Sequence, residues 1–307
     1  MIRDGSCEPF DHHRARSNSG SRSDRCNGGL TGIFVRLLPP VSPLALTAGR
    51  LGGALFVALP IFAASNAKRS SLLETLKNSF GYVFASLLTG YYLLATAAFQ
   101  LAPVAEVALL LSTPPLFVLA LRRIRGDGPT VFELLGAGLA VTGIVFILAP
   151  KLALTERAVK ARLIGHTLAV CAALLTASYA YLYRHIAENG AAPEPSSVTF
   201  MTFVLGSAVL IALVSPMPAA IPTYALHRSN LLLLVALSVL CTAIPSFTFA
   251  FASKRLPAVV TATISLLIPL FAGAFAYLIL GEKVPLTAIP GSAFVLAGIV
   301  MILHQNK

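Results

Sequence analysis

The sequence predicts an all-α fold: a polytopic membrane helical bundle of two inverted five-helix repeats, nine full spans plus a truncated first helix. Three observations predict it. Hydrophobic residues make up 56% of the 307-residue chain and charged residues 11%, with a mean hydropathy of +0.81. Soluble domains carry about 25% charged residues, so too little polar surface is present to cover a water-facing globule. Apolar runs of about 20 residues recur along the chain, the length at which a helix crosses a hydrocarbon core. Finally, motifs from the first half return in the same order in the second.

Taken in order, residues 1–28 are polar, with five Arg and four acids among the first 30 positions. They hold no apolar core of a signal peptide and form an N-terminal segment expected to be disordered. Residues 29–38 (GLTGIFVRLL) then run into Pro39-Pro40. Ten helical residues cover about 15 Å, half a bilayer. This stub is expected to be the second half of a first span whose beginning is missing; a re-entrant piece is the other reading. Full spans follow at 41–64, 80–102, 104–121, 134–150, 163–183, 197–220, 231–252, 258–280 and 285–303. The gaps are short, so the chain is one bundle, with a first repeat at 29–150 and a second at 151–307.

The repeat is visible residue by residue. Segment 136–148 (GAGLAVTGIVFIL) and segment 291–303 (GSAFVLAGIVMIL) share six of thirteen positions. Upstream, Pro115-Leu116-Phe117 returns as Pro269-Leu270-Phe271, Pro103 as Pro257, and Gly126-Asp127 as Gly281-Glu282. Counting the stub as first, Pro115 lies in the fourth span and Pro269 in the ninth. An odd separation makes the copies enter the membrane from opposite sides, the inverted arrangement that lets two half-bundles open alternately around a midplane site.

Charge sets sidedness. The formal charge is +11, but the basic residues sit in short gaps between apolar runs, unlike the contiguous stripe of a nucleic-acid surface. Lys68, Arg69 and Lys77 follow the second span, and Arg122, Arg123 and Arg125 follow the fourth; the gap between Gln100 and Pro103 has none. The two basic gaps are therefore expected on the cytoplasmic side, with Lys254 and Arg255 in agreement. Lys151, Arg157, Lys160 and Arg162, joining the halves on the outer side, dissent.

Two copies of a Pro-Leu-Phe span, a Gly-acid turn and a Gly-x6-Gly span resemble the EamA-type domain. The second copy, with Pro269-Leu270-Phe271 and Leu280-Gly281-Glu282, resembles it most, and Ala48-Gly49-Arg50 is similar to that family's Ala-x-Arg element. The resemblance covers roughly Gly29 to Leu303 and departs from the pattern at the first helix. It implies the drug/metabolite transporter superfamily: ten helices in two inverted repeats, exporting or exchanging small metabolites across the cytoplasmic (inner) membrane. A truncated, non-transporting membrane paralogue is the alternative.

Candidate site residues follow from cost. A charge inside a span is expensive and functional by default. Arg50 and Glu106 are such charges, and Arg50 or Arg36 is the expected partner of Glu106. Tyr91, Tyr92 and Tyr179 lie within spans, where a phenol needs a partner; Tyr183 and Arg184 are expected to anchor at the interface. Ser112 and Thr113 precede Pro115, and Thr261, Thr263 and Ser265 precede Pro269. Each proline frees a carbonyl one turn upstream, so Pro115 and Pro269 are expected to bend their helices and the hydroxyls to satisfy those carbonyls or bind solute. Gly136, Gly143, Gly291 and Gly298 are expected at close helix contacts. Cys171 and Cys241 read as small buried hydrophobes.

Other classes lose support. There is no GxxxxGK[ST] phosphate loop and no HExxH. After Asp24 the only aspartate is Asp127, whereas an aspartyl protease needs a facing pair. His166 stands at the edge of its span without a plausible serine partner, and His12-His13 lacks zinc-site spacing. No enzyme activity, cofactor, metal or nucleic-acid partner is expected. A small-molecule substrate and the lipid bilayer are, and a homodimer is compatible with the sequence.

Overall fold

The computed structural model describes residues 30–38, 41–124, 126, 128, 130–148, 156–216, 227–255 and 288–304. The expected first-helix start, the ninth span with Thr261, Thr263, Ser265 and Pro269, and His12-His13 lie outside them. Among the described residues every regular element is helical.

The stub forms α1 (Leu30–Leu37). α2 (Pro43–Ala63) starts with proline at its first position, and the Ser42 hydroxyl accepts the Ala45 N–H at 3.2 Å, so an orphan N–H of the first turn is satisfied. The basic gap that follows, read as a plain connector, is itself a helix, α3 (Asn66–Lys77). Its signal is local: Ser65 caps its start and Asn78 caps the next helix, α4 (Ser79–Leu101), accepting the Phe80 N–H at 3.0 Å.

The fourth span is broken into α5 (Val104–Leu110) and α6 (Pro114–Ile124). Pro114 and Pro115 bring no N–H to the ladder, which interrupts it at Leu111–Thr113. α7 (Val131–Leu148) opens on a reciprocal capping box: the Thr130 N–H reaches Glu133 Oε2 at 2.9 Å and the Glu133 N–H reaches Thr130 Oγ1 at 3.3 Å. Arg122 pairs with Glu133 at 2.8 Å and ties α6 to it.

α8 (Glu156–Glu188) has 33 residues, about 50 Å at 1.5 Å per residue, so it overruns the hydrocarbon core. Arg157, Lys160 and Arg162, expected in a connector, lie on its first turns. α9 (Pro195–Val214), α10 (Arg228–Ser238), a five-residue π-helix (Val239–Ala243), α11 (Ile244–Arg255) and α12 (Ala288–His304) complete the described chain. Among the described residues six stretches are long and apolar enough to cross a membrane: Pro43–Ala63, Ser79–Leu101, Glu106–Ile124, Lys160–Glu188, Pro195–Val214 and Arg228–Arg255.

Three antiparallel pairings build the core. α2 runs against α9, with Phe62 stacked on Phe200 at 4.2 Å and Gly206 so close to Leu51 that a Cβ would come within 2.7 Å of its side chain. α4 runs against α8: Phe84 meets Tyr183 at 4.4 Å, and Gly165 lies against Ala102. α7 runs against α12, where a Cβ on Gly136 would stand 2.6 Å from the Gly298 carbonyl oxygen, and Phe146 meets Phe294 at 6.0 Å. Glycine is required at that crossing because backbone meets backbone. α2 and α10 run parallel, Gly49 facing Leu234 and Gly53 facing Ser238.

Candidate functional site

Arg50 sits about two turns into α2 and is 1% exposed. Its guanidinium is held by four neutral groups. Nε donates to Thr242 Oγ1 at 2.9 Å, Nη1 to Thr96 Oγ1 at 3.1 Å and Nη2 to the Cys241 carbonyl at 3.1 Å. The Tyr92 ring lies under the cation at 4.7 Å, close enough for a cation–π attraction. Among the described residues no carboxylate lies within ion-pair distance of Arg50. The expected bridge to Glu106 is absent.

Pro245 and the π-helix together explain why two acceptors come from adjacent residues. In an α-helix the ladder partner of the Cys241 carbonyl would be the N–H of residue 245, which proline lacks, so that carbonyl is left open. The wider turn, closed by the Ile244 N–H on the Val239 carbonyl, brings that carbonyl and the Thr242 hydroxyl to Arg50 together. π-Bulges recur at functional sites for this reason. Tyr92 is fixed from the same strip: its hydroxyl bonds Ser246 Oγ at 2.5 Å. Ser238, Thr242, Ser246 and Ser253 are all buried and form one polar stripe along α10 and α11.

Beyond Tyr92 the chemistry turns aromatic. Tyr91 lies beside Tyr92 with ring centroids 5.1 Å apart and is half-buried. Tyr179 is fully buried among Phe84, Tyr183 and Phe249, at 5.1, 5.3 and 5.4 Å. Among the described residues its hydroxyl has no hydrogen-bond partner, and neither does that of Ser253. Tyr183, expected at the interface, is instead sealed in the core and donates to the Pro193 carbonyl at 2.9 Å, because the α8–α9 connection folds back over it. Arg184 does sit at the bundle end, on Glu188 and the last carbonyls of α11.

Glu106 belongs to a second cluster. It is 1% exposed, and its two carboxylate oxygens receive Arg162 through Nε at 2.7 Å and Nη2; His166 Nε2 lies 3.0 Å from Oε2. Arg162 was expected as a connector charge and His166 as an edge residue without a role. Both lie on the first turns of α8, one helical turn apart, so they reach Glu106 together. Arg36 donates to the Phe99 and Ala102 carbonyls at 2.9 and 2.6 Å, at the carboxyl end of α4.

The hydroxyls before the double proline turn inward on their own helix. Ser112 donates to the Ala108 carbonyl and Thr113 to the Leu110 carbonyl, both at 2.7 Å. Cys171, expected to be buried, is exposed on α8, and Cys241 is half-buried with its carbonyl in the Arg50 cage. The acceptors Thr96 and Thr242 were missed in the sequence. A lone threonine in an apolar run carries no signal, and they lie 46 and 192 positions from Arg50.

The model of the EamA-like transporter family matches residues 28–149 and 163–304, once over each copy of the repeat. This chain belongs to that family. Arg50 and Glu106 fall in the first matched copy, Tyr179 and Thr242 in the second. An uncharacterized transporter of Archaeoglobus fulgidus is 29% identical over 211 residues, which are 68% of this chain and 70% of that protein. A solved crystal structure superposes with a TM-score of 0.68 at 18% identity, over 95% of this chain and 98% of its own; that likeness concerns the fold alone. The EamA-like chain is thus a multi-pass membrane protein and a transporter of small molecules, with a two-repeat architecture.

Proposed function

We propose that this EamA-like protein is a secondary carrier of a small anionic metabolite, working by alternating access between two inverted five-helix repeats in the cytoplasmic membrane. One observation carries the reading: a sealed guanidinium caged by neutral acceptors. Burying a cation costs several kcal/mol unless it is paired. Hydroxyls, a carbonyl and a ring offset part of that cost, and a carboxylate or phosphate offsets more, because charge-assisted bonds are about twice as strong as neutral ones. The cage is therefore a resting state that an anionic group displaces. Tyr92, with its ring under the cation, and Tyr91 beside it would flank the bound solute. Tyr179 offers a free hydroxyl one layer further along.

The helix pairing supports inversion. The second span packs on the seventh (α2 on α9) and the fifth on the tenth (α7 on α12), each pair equivalent in the two copies and each antiparallel. A two-fold axis in the membrane plane brings an element onto its own copy in that way, whereas an axis along the membrane normal would make the pairs parallel. A contact across the copies, Ser71 to Ser197 at 2.9 Å, and one within the second copy, Lys254 to Glu194 at 3.3 Å, also support the assigned orientation, because they gather the basic ends of α3 and α11. Arg162, from the dissenting connector, is neutralised by Glu106.

The test is counterflow in proteoliposomes over a panel of carboxylates and phosphate esters. Arg50→Ala is expected to abolish uptake of the solute that the wild type carries. Arg50→Lys should lose most of it as well, since an ammonium cannot reproduce the fork on Thr96, Thr242 and Cys241. Wild-type rates in Arg50→Ala would remove the basis of this reading.

A further inference from the structure

At the basic end of the bundle a cavity of about 350 Å³ opens between α8, α9 and α11, lined by Arg184, Glu194, Phe251, Lys254 and Arg255 among others. Its charges are unevenly spent. Arg184 Nε holds Glu188 at 2.8 Å and Lys254 holds Glu194 at 3.3 Å. Arg255 has no carboxylate within ion-pair distance among the described residues. Its guanidinium instead lies over the Phe251 ring at 4.1 Å. Arg184 Nη1 also donates to the Arg255 carbonyl at 3.2 Å, which fixes the backbone beneath that cation.

The apolar side of the cavity faces outward. Phe251 is 49% exposed, and Ile244, 55% exposed, lies seven residues before it on the same face of α11. Arg255 follows Phe251 by four residues, one further turn along that face. An exposed apolar track therefore runs up the outside of α11 and ends at an uncompensated guanidinium over a cavity. A soluble anion would use the cation and leave the track bare. A diacyl phospholipid with a net negative headgroup uses both, and basic pockets between helix ends are suited to such headgroups.

We propose that this cavity is a binding site for one anionic phospholipid, with the phosphate on Arg255 and Lys254 and an acyl chain along Phe251 and Ile244. The site is separate from the Arg50 cage and does not depend on the transport reading.

The experiment offers the purified full chain equal amounts of dioleoyl phosphatidylglycerol and dioleoyl phosphatidylcholine in a neutral detergent, with retained lipid read by native mass spectrometry. The wild type is expected to retain the glycerol lipid about fivefold better per engaged charge. Arg255→Gln should bring the two lipids to parity. Phe251→Ala should weaken retention of both. Lys77→Gln, which removes a charge at the same end but away from the cavity, should keep the preference. Millimolar inorganic phosphate should leave the bound lipid in place. Parity in the wild type, an undiminished preference in Arg255→Gln, a preference lost equally in Lys77→Gln, or displacement of the lipid by inorganic phosphate would each overturn the proposal. The last outcome would make the site one for soluble anions.

Discussion

A phenol with no acceptor is costly in a sealed interior, and Tyr179 is one. Leaving a buried donor unmade costs about 1–3 kcal/mol, so Tyr179→Phe is expected to raise the stability of the empty protein by about 1 kcal/mol, read as a higher thermal midpoint in detergent. The same change should weaken apparent affinity for the carried solute, since the hydroxyl is proposed to meet it. A lower midpoint would show that the hydroxyl already has an acceptor. Glu106 is the opposite case. Glu106→Gln leaves the part-buried Arg162 without its carboxylate, and breaking a buried pair costs about 3 kcal/mol, an upper figure for a pair with one partner part-exposed. Arg162→Gln in the same chain should recover part of that loss; additive losses would mean that the pair is not coupled. Both charges in the apolar runs could be found in the sequence, because an intramembrane charge stands out against its neighbours. Their partners could not. Thr96, Thr242 and the Cys241 carbonyl are chemically ordinary, and Arg162 and His166 sit where a connector was expected; only the tertiary fold brings them to the charges.

At the scale of elements, helix lengths follow from hydropathy, and the spans read from the sequence agree with α2, α4, α7, α9 and α12 to within a few residues at most ends, whereas α8 runs seven residues before and five beyond its span. The exceptions have local causes. α3 is too polar for a hydropathy window, and its caps, Ser65 and Asn78, are the signal that was available. The break at Leu111–Thr113 was half legible, since Pro115 was expected to bend the helix but Pro114 sharpens the bend into an interruption. The π-helix had a signal that was not read, Pro245, whose missing N–H breaks the ladder one turn after Cys241. An inserted residue in an apolar run looks like any other, yet it carries the cage. Deleting Leu240 should remove the extra residue of Val239–Ala243 and move Cys241 and Thr242 off the face that meets Arg50, while α11 keeps about its phase, because the loss of about 100° for one residue is offset by the closing of the wider turn. Helix content by circular dichroism is expected to stay unchanged while counterflow is lost. A deletion variant that transports at the wild-type rate would mean that Arg50 finds other acceptors.

For the whole molecule the internal repeat was the most legible feature, because order and spacing over fifty residues survive where single matches do not. The structure adds which matched positions meet. Gly136 opens its motif and Gly298 closes the other copy's, and these two face each other across α7 and α12. The two-fold proposed between the copies carries Gly136 onto Gly291 and Gly298 onto Gly143, so it requires a second close crossing, Gly143 against Gly291. A Cβ on Gly298 or Gly136 would press on the other's backbone carbonyl, which cannot swing aside as a side-chain tip can. Overpacking of this kind costs about 1–3 kcal/mol. Gly298→Ala is therefore expected to lower the thermal midpoint in detergent, and Gly143→Ala, at the buried second glycine of the Gly-x6-Gly motif, should lower it by a similar amount, unlike the exposed glycine at 138, where a Cβ meets open space. Gly138→Ala serves as the control and should be neutral or slightly stabilising, since alanine is the better helix former. If Gly143→Ala behaves like Gly138→Ala, the α7–α12 contact is a single crossing rather than one of a symmetric pair, and the inverted relation of the two repeats loses its strongest structural support.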